Sequence, residues 1–217
     1  GVVRRLKVCL NGARGRDAHP AVPVTSAEVA AAAAAAIAAG AEAVHVHPRG
    51  DDGEESLLPE HIASVVLAVR RLCPGVPVGV STGLWITAGD DRLRKTLVRR
   101  WGELPVSARP DFASVNVSEP GFTELIDTLH HAGIGVEAGV WSVADADALA
   151  ATDHAGMVVR ILVEIIGETG AQATSTADQI LARLDQHDLR APRLLHGEDS
   201  ACWPLVIHAG RLGLTTR

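Results

Sequence analysis

Ala43-Val44-His45-Val46-His47-Pro48-Arg49 is a short β-branched apolar run that sets two histidines one residue apart and then meets a proline. Side chains alternate between the faces of a strand, so His45 and His47 share one face and Val44 and Val46 the other. Two imidazoles on one face at a strand's end converge on a point, as a divalent cation requires. A pair of hydrogen-bonded histidines would show the same spacing, and His-x-His alone leaves both readings open.

The segments around this run repeat its character. Leu6–Leu10, Val76–Val80, Phe112–Val117, Ile134–Trp141, Met157–Ile166 and Pro192–His196 are apolar runs without regular alternation. Strands of that kind are buried on both faces, which implies a parallel sheet covered by helices. Helix signals fall between them. Thr25 or Ser26 caps a helix with Glu28 in its first turn, and Gly40 ends it. The alanine-rich stretch Val29–Ala39 gives that helix a small-residue face. A second helix starts after Pro59 and stops at Pro74-Gly75. Others are expected over 90–101, 121–131, 142–149, 173–186 and 201–211. Leu214-Thr215-Thr216-Arg217 opens an eighth unit.

This alternation predicts an α/β fold, a (β/α)8 TIM barrel in a single domain over residues 1–217, with the eighth strand only begun and the chain cut short there. No GxGxxG follows the first strand, which argues against a dinucleotide-binding sheet. A chain of 217 residues can bury one sizeable core, and 47% hydrophobic with 21% charged residues is ordinary for a globular protein. The formal charge of −6 argues against a nucleic-acid binder. Three cysteines without CxxC spacing suggest reduced thiols in a cytoplasmic protein. Neither a signal peptide nor an apolar run of membrane-spanning length is legible.

In such a barrel the chemistry sits at the carboxyl ends of the strands. Asn11 and Arg14 fall there after the first strand, His45, His47 and Arg49 after the second, Ser81 and Thr82 after the third, and Asn116 and Ser118 after the fourth. Glu137 lies on the fifth strand, Arg160 and Glu164 on the sixth, and Glu198 with Asp199 follow the seventh. A glutamate inside a strand needs a partner or a metal, which marks Glu137 as functional. Arg160, mid-strand, needs a carboxylate, either Glu137 or a substrate. Ser81-Thr82-Gly83 reads equally well as a turn that caps a helix. A metal in this barrel suits carbon–carbon bond chemistry, in which the cation polarises a keto oxygen. The alternative is a metal-dependent hydrolase or aldolase. An amidohydrolase would want a bridging lysine, and the two lysines, Lys7 and Lys95, fall at the start of a strand and in a helix.

Together these residues resemble the β-keto acid cleavage enzymes, the family that includes 3-keto-5-aminohexanoate cleavage enzyme. The resemblance is carried by Asn11-Gly12-Ala13, by the block from Ala39 to Arg49 that holds His45 and His47, and by Asp52-Gly53 and Ser56-Leu57. Ser81-Thr82-Gly83, Ser114-Val115-Asn116 and Val136-Glu137 complete it. It implies a Zn²⁺ or another divalent metal held by the two histidines and a glutamate, and a homotetramer. It also implies the conversion of a β-keto acid and acetyl-CoA into acetoacetate and a new CoA thioester. On that reading Ser81, Thr82 and Asn116 hydrogen-bond the substrate, Arg14 and Arg49 bind it, and Glu137 orients or tunes a base. Where the family often carries a glutamate, this chain has Arg14, which implies a keto acid with a neutral or acidic tail. Arg217 resembles the arginine of the family's eighth-strand motif, whose glutamate and aspartate would lie past it. Glu198 is the rival third metal ligand.

Overall fold

The computed structural model describes residues 5–217. Among them are β1 (Lys7–Cys9), β2 (Ala43–Val46), β3 (Val78–Ser81), β4 (Phe112–Asn116), β5 (Gly135–Val140), β6 (Arg160–Ile165), β7 (Arg193–Gly197) and β8 (Thr215–Thr216). The helices between them are α1 (Ser26–Ala38), α2 (Pro59–Leu72), α3 (Asp91–Arg100), α4 (Phe122–His131), α5 (Val143–Ala150), α6 (Gly170–Gln186) and α7 (Cys202–Leu212). The strands run parallel in chain order, β1 to β8. Order, direction and alternation are those of a (β/α)8 barrel, as the apolar runs predict.

The chain divides into two compact units. The first comprises the residues up to Ser114 together with Asp127–Gly135. Here β1 pairs with β2 (Cys9 opposite His45), β2 with β3 (Val46 opposite Val80) and β3 with β4 (Ser81 opposite Ser114). Val44, Val46, Val78 and Val80 are fully buried. Gly79 leaves room for an aromatic ring: a Cβ there would lie 2.0 Å from Phe112. The buried Lys7 ammonium sits over the same ring, 5.2 Å from its centroid, a cation–π contact that compensates its burial.

Thr25 caps α1 through a full capping box: its hydroxyl accepts from the Glu28 amide and the Glu28 carboxylate returns to the Thr25 amide. The buried Val29, Ala30 and Ala33 let α1 pack against α2. With Pro59 in its first turn, α2 buries Ile62, Val65, Val66 and Val69, an i, i+3, i+4, i+7 stripe, each side chain contributing about 1.5–3 kcal/mol.

The second unit comprises Val115–Ile126 and Val136–Arg217. Its registers set Glu137 beside Arg160, Glu164 beside His196 and Leu195 beside Thr216. Ser142 caps α5 by accepting from the Asp145 amide, and α7 ends at Gly213 in the left-handed region (φ 67°). The apolar run from Met157 to Ile166 is not one strand. Asp153–Met157 forms a 3-10 turn started by the Thr152 hydroxyl, and Val159 is 47% exposed, so β6 begins only at Arg160. No described helix is long and apolar enough to cross a membrane.

Candidate active site

The end of β2 is built by backbone geometry on both sides of it. After β1 the Asn11 side chain accepts from the His47 amide (2.9 Å) and donates to the His47 carbonyl (3.0 Å), prolonging the ladder by one residue. His47 is thereby held just past the last residue of β2. His45 and His47 are both buried, and their Nε2 atoms lie 3.2 Å apart.

Beyond them the chain folds back at Asp52-Gly53. Gly53 takes a left-handed φ of 83°, the Asp52 carboxylate accepts from the Glu54 amide (3.0 Å), and Arg49 and Glu55 form an antiparallel bridge. That return delivers Glu55 to His47, whose Nδ1 stands 2.5 Å from Glu55 Oε1. Trp85, in the 3-10 turn Leu84–Thr87 after β3, donates its indole N–H to the other carboxylate oxygen of Glu55 (2.8 Å). Its ring stacks on His47 at 6.4 Å and 24°, lying where a Cβ on Gly83 would stand. Burial works against a charged His47, but the Cys9 and Glu55 side chains outweigh it, so the ring titrates above its ordinary value.

The other sites expected in this unit have mixed surroundings. Ser81 Oγ accepts from the Gly83 amide (3.1 Å) and Thr82 donates to the Ser114 carbonyl (2.7 Å), so both hydroxyls shape the turn that precedes Trp85. Fully buried Arg94 on α3 supports that turn from below, donating to the Thr82 carbonyl and to Asp91. Arg49 directs its guanidinium at the carbonyls of Gly12, Arg14, His47 and Gly53, fastening the loops after β1 and β2. Arg14 is exposed in the first of those loops. Lys95 pairs with Asp91 on α3 and Lys7 lies at the amino end of β1, so neither lysine stands at a strand's carboxyl end.

In the second unit Glu137 is fully buried and ion-paired with Arg160, one of the two partners expected for that arginine, which opens β6 rather than lying mid-strand. Asn116 donates to Glu119 (3.0 Å) and faces Gly139, where a Cβ would come within 2.6 Å of its Oδ1. Glu164 gathers three groups. The Trp141 indole donates to it at 3.1 Å, the Arg217 guanidinium lies at 3.4 Å and His196 Nδ1 at 3.6 Å. Glu198 is exposed at the start of the 3-10 turn after β7.

Sequence reasoning missed Glu55, Trp85, Trp141 and His196. The signal for His196 was its position beside Glu164 at the end of a strand. For Glu55 the signal was a carboxylate just past an Asp-Gly turn. Among the described residues no group of three or more His, Cys, Asp or Glu side chains is arranged to hold a metal ion. The two imidazoles do suit one: ligand nitrogens on a tetrahedral zinc stand about 3.3 Å apart, close to the spacing of the two Nε2 atoms.

Residues 5–217 match the beta-keto acid cleavage enzyme family. The chain belongs to that family. Within it, the chain is 37% identical over 119 residues to a 3-oxoadipate:acetyl-CoA acetyltransferase of Cupriavidus necator, a match covering 54% of this chain and 38% of that one. It is 38% identical over 82 residues to a 3-keto-5-aminohexanoate cleavage enzyme of Fusobacterium nucleatum, covering 37% and 30%. The chain thus matches well under half the length of these curated relatives. Among solved structures, ObcA in ternary complex with a C4-CoA adduct and oxalate superposes with a TM-score of 0.69 at 15% identity, over 91% of this chain and 56% of that one. A 3-dehydroquinate dehydratase from Geobacillus kaustophilus gives 0.62 at 8%, over 91% and 74%. At such identities these structures speak for the fold alone.

Proposed function

We propose that this member of the family is a metal-dependent β-keto acid cleavage enzyme. It converts a β-keto acid and acetyl-CoA into acetoacetate and a new acyl-CoA, with His45 and His47 as protein ligands of a zinc or another divalent ion. The observation that carries this reading is the convergence of the two Nε2 atoms, 3.2 Å apart at the carboxyl end of a strand. In the net reaction the bond between the keto carbon and the carboxymethyl carbon breaks. That carboxymethyl carbon joins the acetyl carbonyl as the acetyl–sulfur bond breaks, and the freed CoA sulfur takes the released acyl group, so atoms and electrons balance.

A bound divalent ion would polarise the keto oxygen and stabilise the developing enolate charge. The chain's own residues do the rest. With Glu55 accepting from Nδ1–H, a neutral His47 presents its Nε2 lone pair, and Asn11 fixes the backbone from which it projects. Ser81 already accepts from Gly83, which leaves its O–H to donate to a substrate oxygen. Thr82, Arg14 and Arg49 are the proposed substrate contacts in the unit that holds the two histidines, and the roles proposed for Asn116, Glu137, Glu198 and Arg217 rest on the family resemblance alone. Arg14 favours a neutral or acidic substrate tail. The name of the Cupriavidus relative, which specifies a dicarboxylic keto acid, supports the same preference.

The test is metal analysis of the purified protein joined to an acetoacetate assay with acetyl-CoA and a panel of β-keto acids. Expected are one divalent ion per chain, turnover of 3-oxoadipate above 3-keto-5-aminohexanoate, and loss of both metal and turnover in His45→Ala and His47→Ala. Metal retained in both variants would remove the assignment of the site. Preference for the amino substrate would remove the role given to Arg14.

A further inference from the structure

Trp85 has no part in the reaction, and Glu55 enters it only through His47. Neither belongs to the residues that carry the family resemblance, yet together they form a connected chain ending on His47. Trp85 is 46% exposed, unusual for an indole whose N–H is committed to a carboxylate. Its ring is held in three ways: by that N–H, by stacking on His47 and by the space that Gly83 leaves.

A carboxylate only accepts hydrogen bonds, so the short contact with Glu55 assigns a proton to Nδ1 of His47. In the neutral ring the lone pair then resides on Nε2, the atom that faces His45. Without Glu55 no carboxylate selects Nδ1–H, and a neutral imidazole can carry its proton on either nitrogen. Trp85 does not touch Nδ1. It acts through Glu55, holding Oε2 so that Oε1 stays on the histidine.

We infer that Glu55 and Trp85 are positioning residues that set the tautomer and orientation of His47 and thereby the affinity of this site for a divalent cation. The inference deepens the proposed function and rests on His45 and His47 being the ligands. Carboxylate–imidazole partners of this kind typically contribute roughly 10–100-fold to metal affinity.

Two readouts test it. In the metal-free protein, ¹⁵N spectra of the histidine rings report which nitrogen of His47 bears the proton. Expected is Nδ1–H in the wild type and a mixture of tautomers in Glu55→Gln, because an amide can either accept from Nδ1 or donate to it. Zinc titration by calorimetry should show Glu55→Gln weaker by roughly 10–100-fold and Trp85→Phe, which keeps a stacked ring but lacks the N–H, weaker by a smaller factor. An unchanged His47 spectrum in Glu55→Gln overturns the inference, as does zinc affinity within about twofold of wild type in both variants. Should Glu55→Gln not fold, Trp85→Phe carries both measurements. A wild-type protein that takes up no zinc sinks the proposed function instead, and the ring spectra still decide the tether.

Discussion

At the end of β2 a glutamate serves a histidine; on β5 and β6 a glutamate serves an arginine. Glu55 accepts from Nδ1 of His47, and a neutral ring then turns its Nε2 lone pair toward His45, the arrangement on which the proposed metal site rests. Glu137 and Arg160 neutralise each other, and Glu137 is fully buried. Glu164 is intermediate, its charge shared among the Trp141 indole, Arg217 and His196 at longer range and in partial contact with solvent. Identical side chains thus sit in different settings: one orients a titratable ring, the other neutralises a fixed cation.

The sharpest way to break this comparison is to open the Glu137–Arg160 pair. Arg160→Met removes the counter-ion seen beside buried Glu137 and should cost about 3–5 kcal/mol of stability, measured by urea unfolding. Replacing both residues, as in Glu137→Leu with Arg160→Met, should recover most of that loss, since an apolar pair leaves no buried charge. A single-variant loss below about 1 kcal/mol would mean that the pair is not sealed from water.

A finer comparison sets the strand glycines of the two units side by side. At Gly79 a Cβ would strike the Phe112 ring, which is rigid and pinned beneath Lys7. At Gly139 it would strike Asn116 Oδ1, the end of a side chain that can turn aside. Gly79→Ala should therefore lower stability by about 1–3 kcal/mol in thermal unfolding, and Gly139→Ala by less. Equal losses would show that Asn116 is as firmly held as the aromatic ring.

The same contrast explains what was legible in the sequence. His45 and His47 were readable because strand periodicity alone puts them on one face. Glu137 was readable because a carboxylate within an apolar run needs a partner, and Arg160 supplied it. For Glu55 the sequence offered only a carboxylate past an Asp-Gly turn, without its partner. Its role depends on an Asp-Gly return that brings it back on His47, and Trp85 reaches it from the turn after another strand. Arg49 stands where a ligand-binding arginine would, and its bonds to four backbone carbonyls are a fastening role that position alone does not show. Arg94, in a charged helical stretch, looks like a surface residue but is buried under Thr82. In each case the missing information is a tertiary contact with no fixed sequence spacing.

The smallest expected effect concerns how the loop that carries Arg14 is fastened. Glu28 accepts from the Thr25 and Val24 amides and pairs with Arg16, and in that order these contacts lower its pKa from 4.5 to about 2. A carboxyl group depressed on folding stabilises the folded state above its unfolded value, and the gain disappears as pH falls through the folded one. The stability gap between wild type and Glu28→Gln should hence be constant above pH 5 and shrink between about pH 4.5 and 2. Urea midpoints of the two proteins across that range check it. The Arg16–Glu28 pair is open to solvent, so salt should narrow the gap by weakening it while leaving the two backbone bonds. A gap that grows on acidification would place the loop's anchorage elsewhere, leaving Arg49 and its four carbonyls to hold Arg14 near the end of β2.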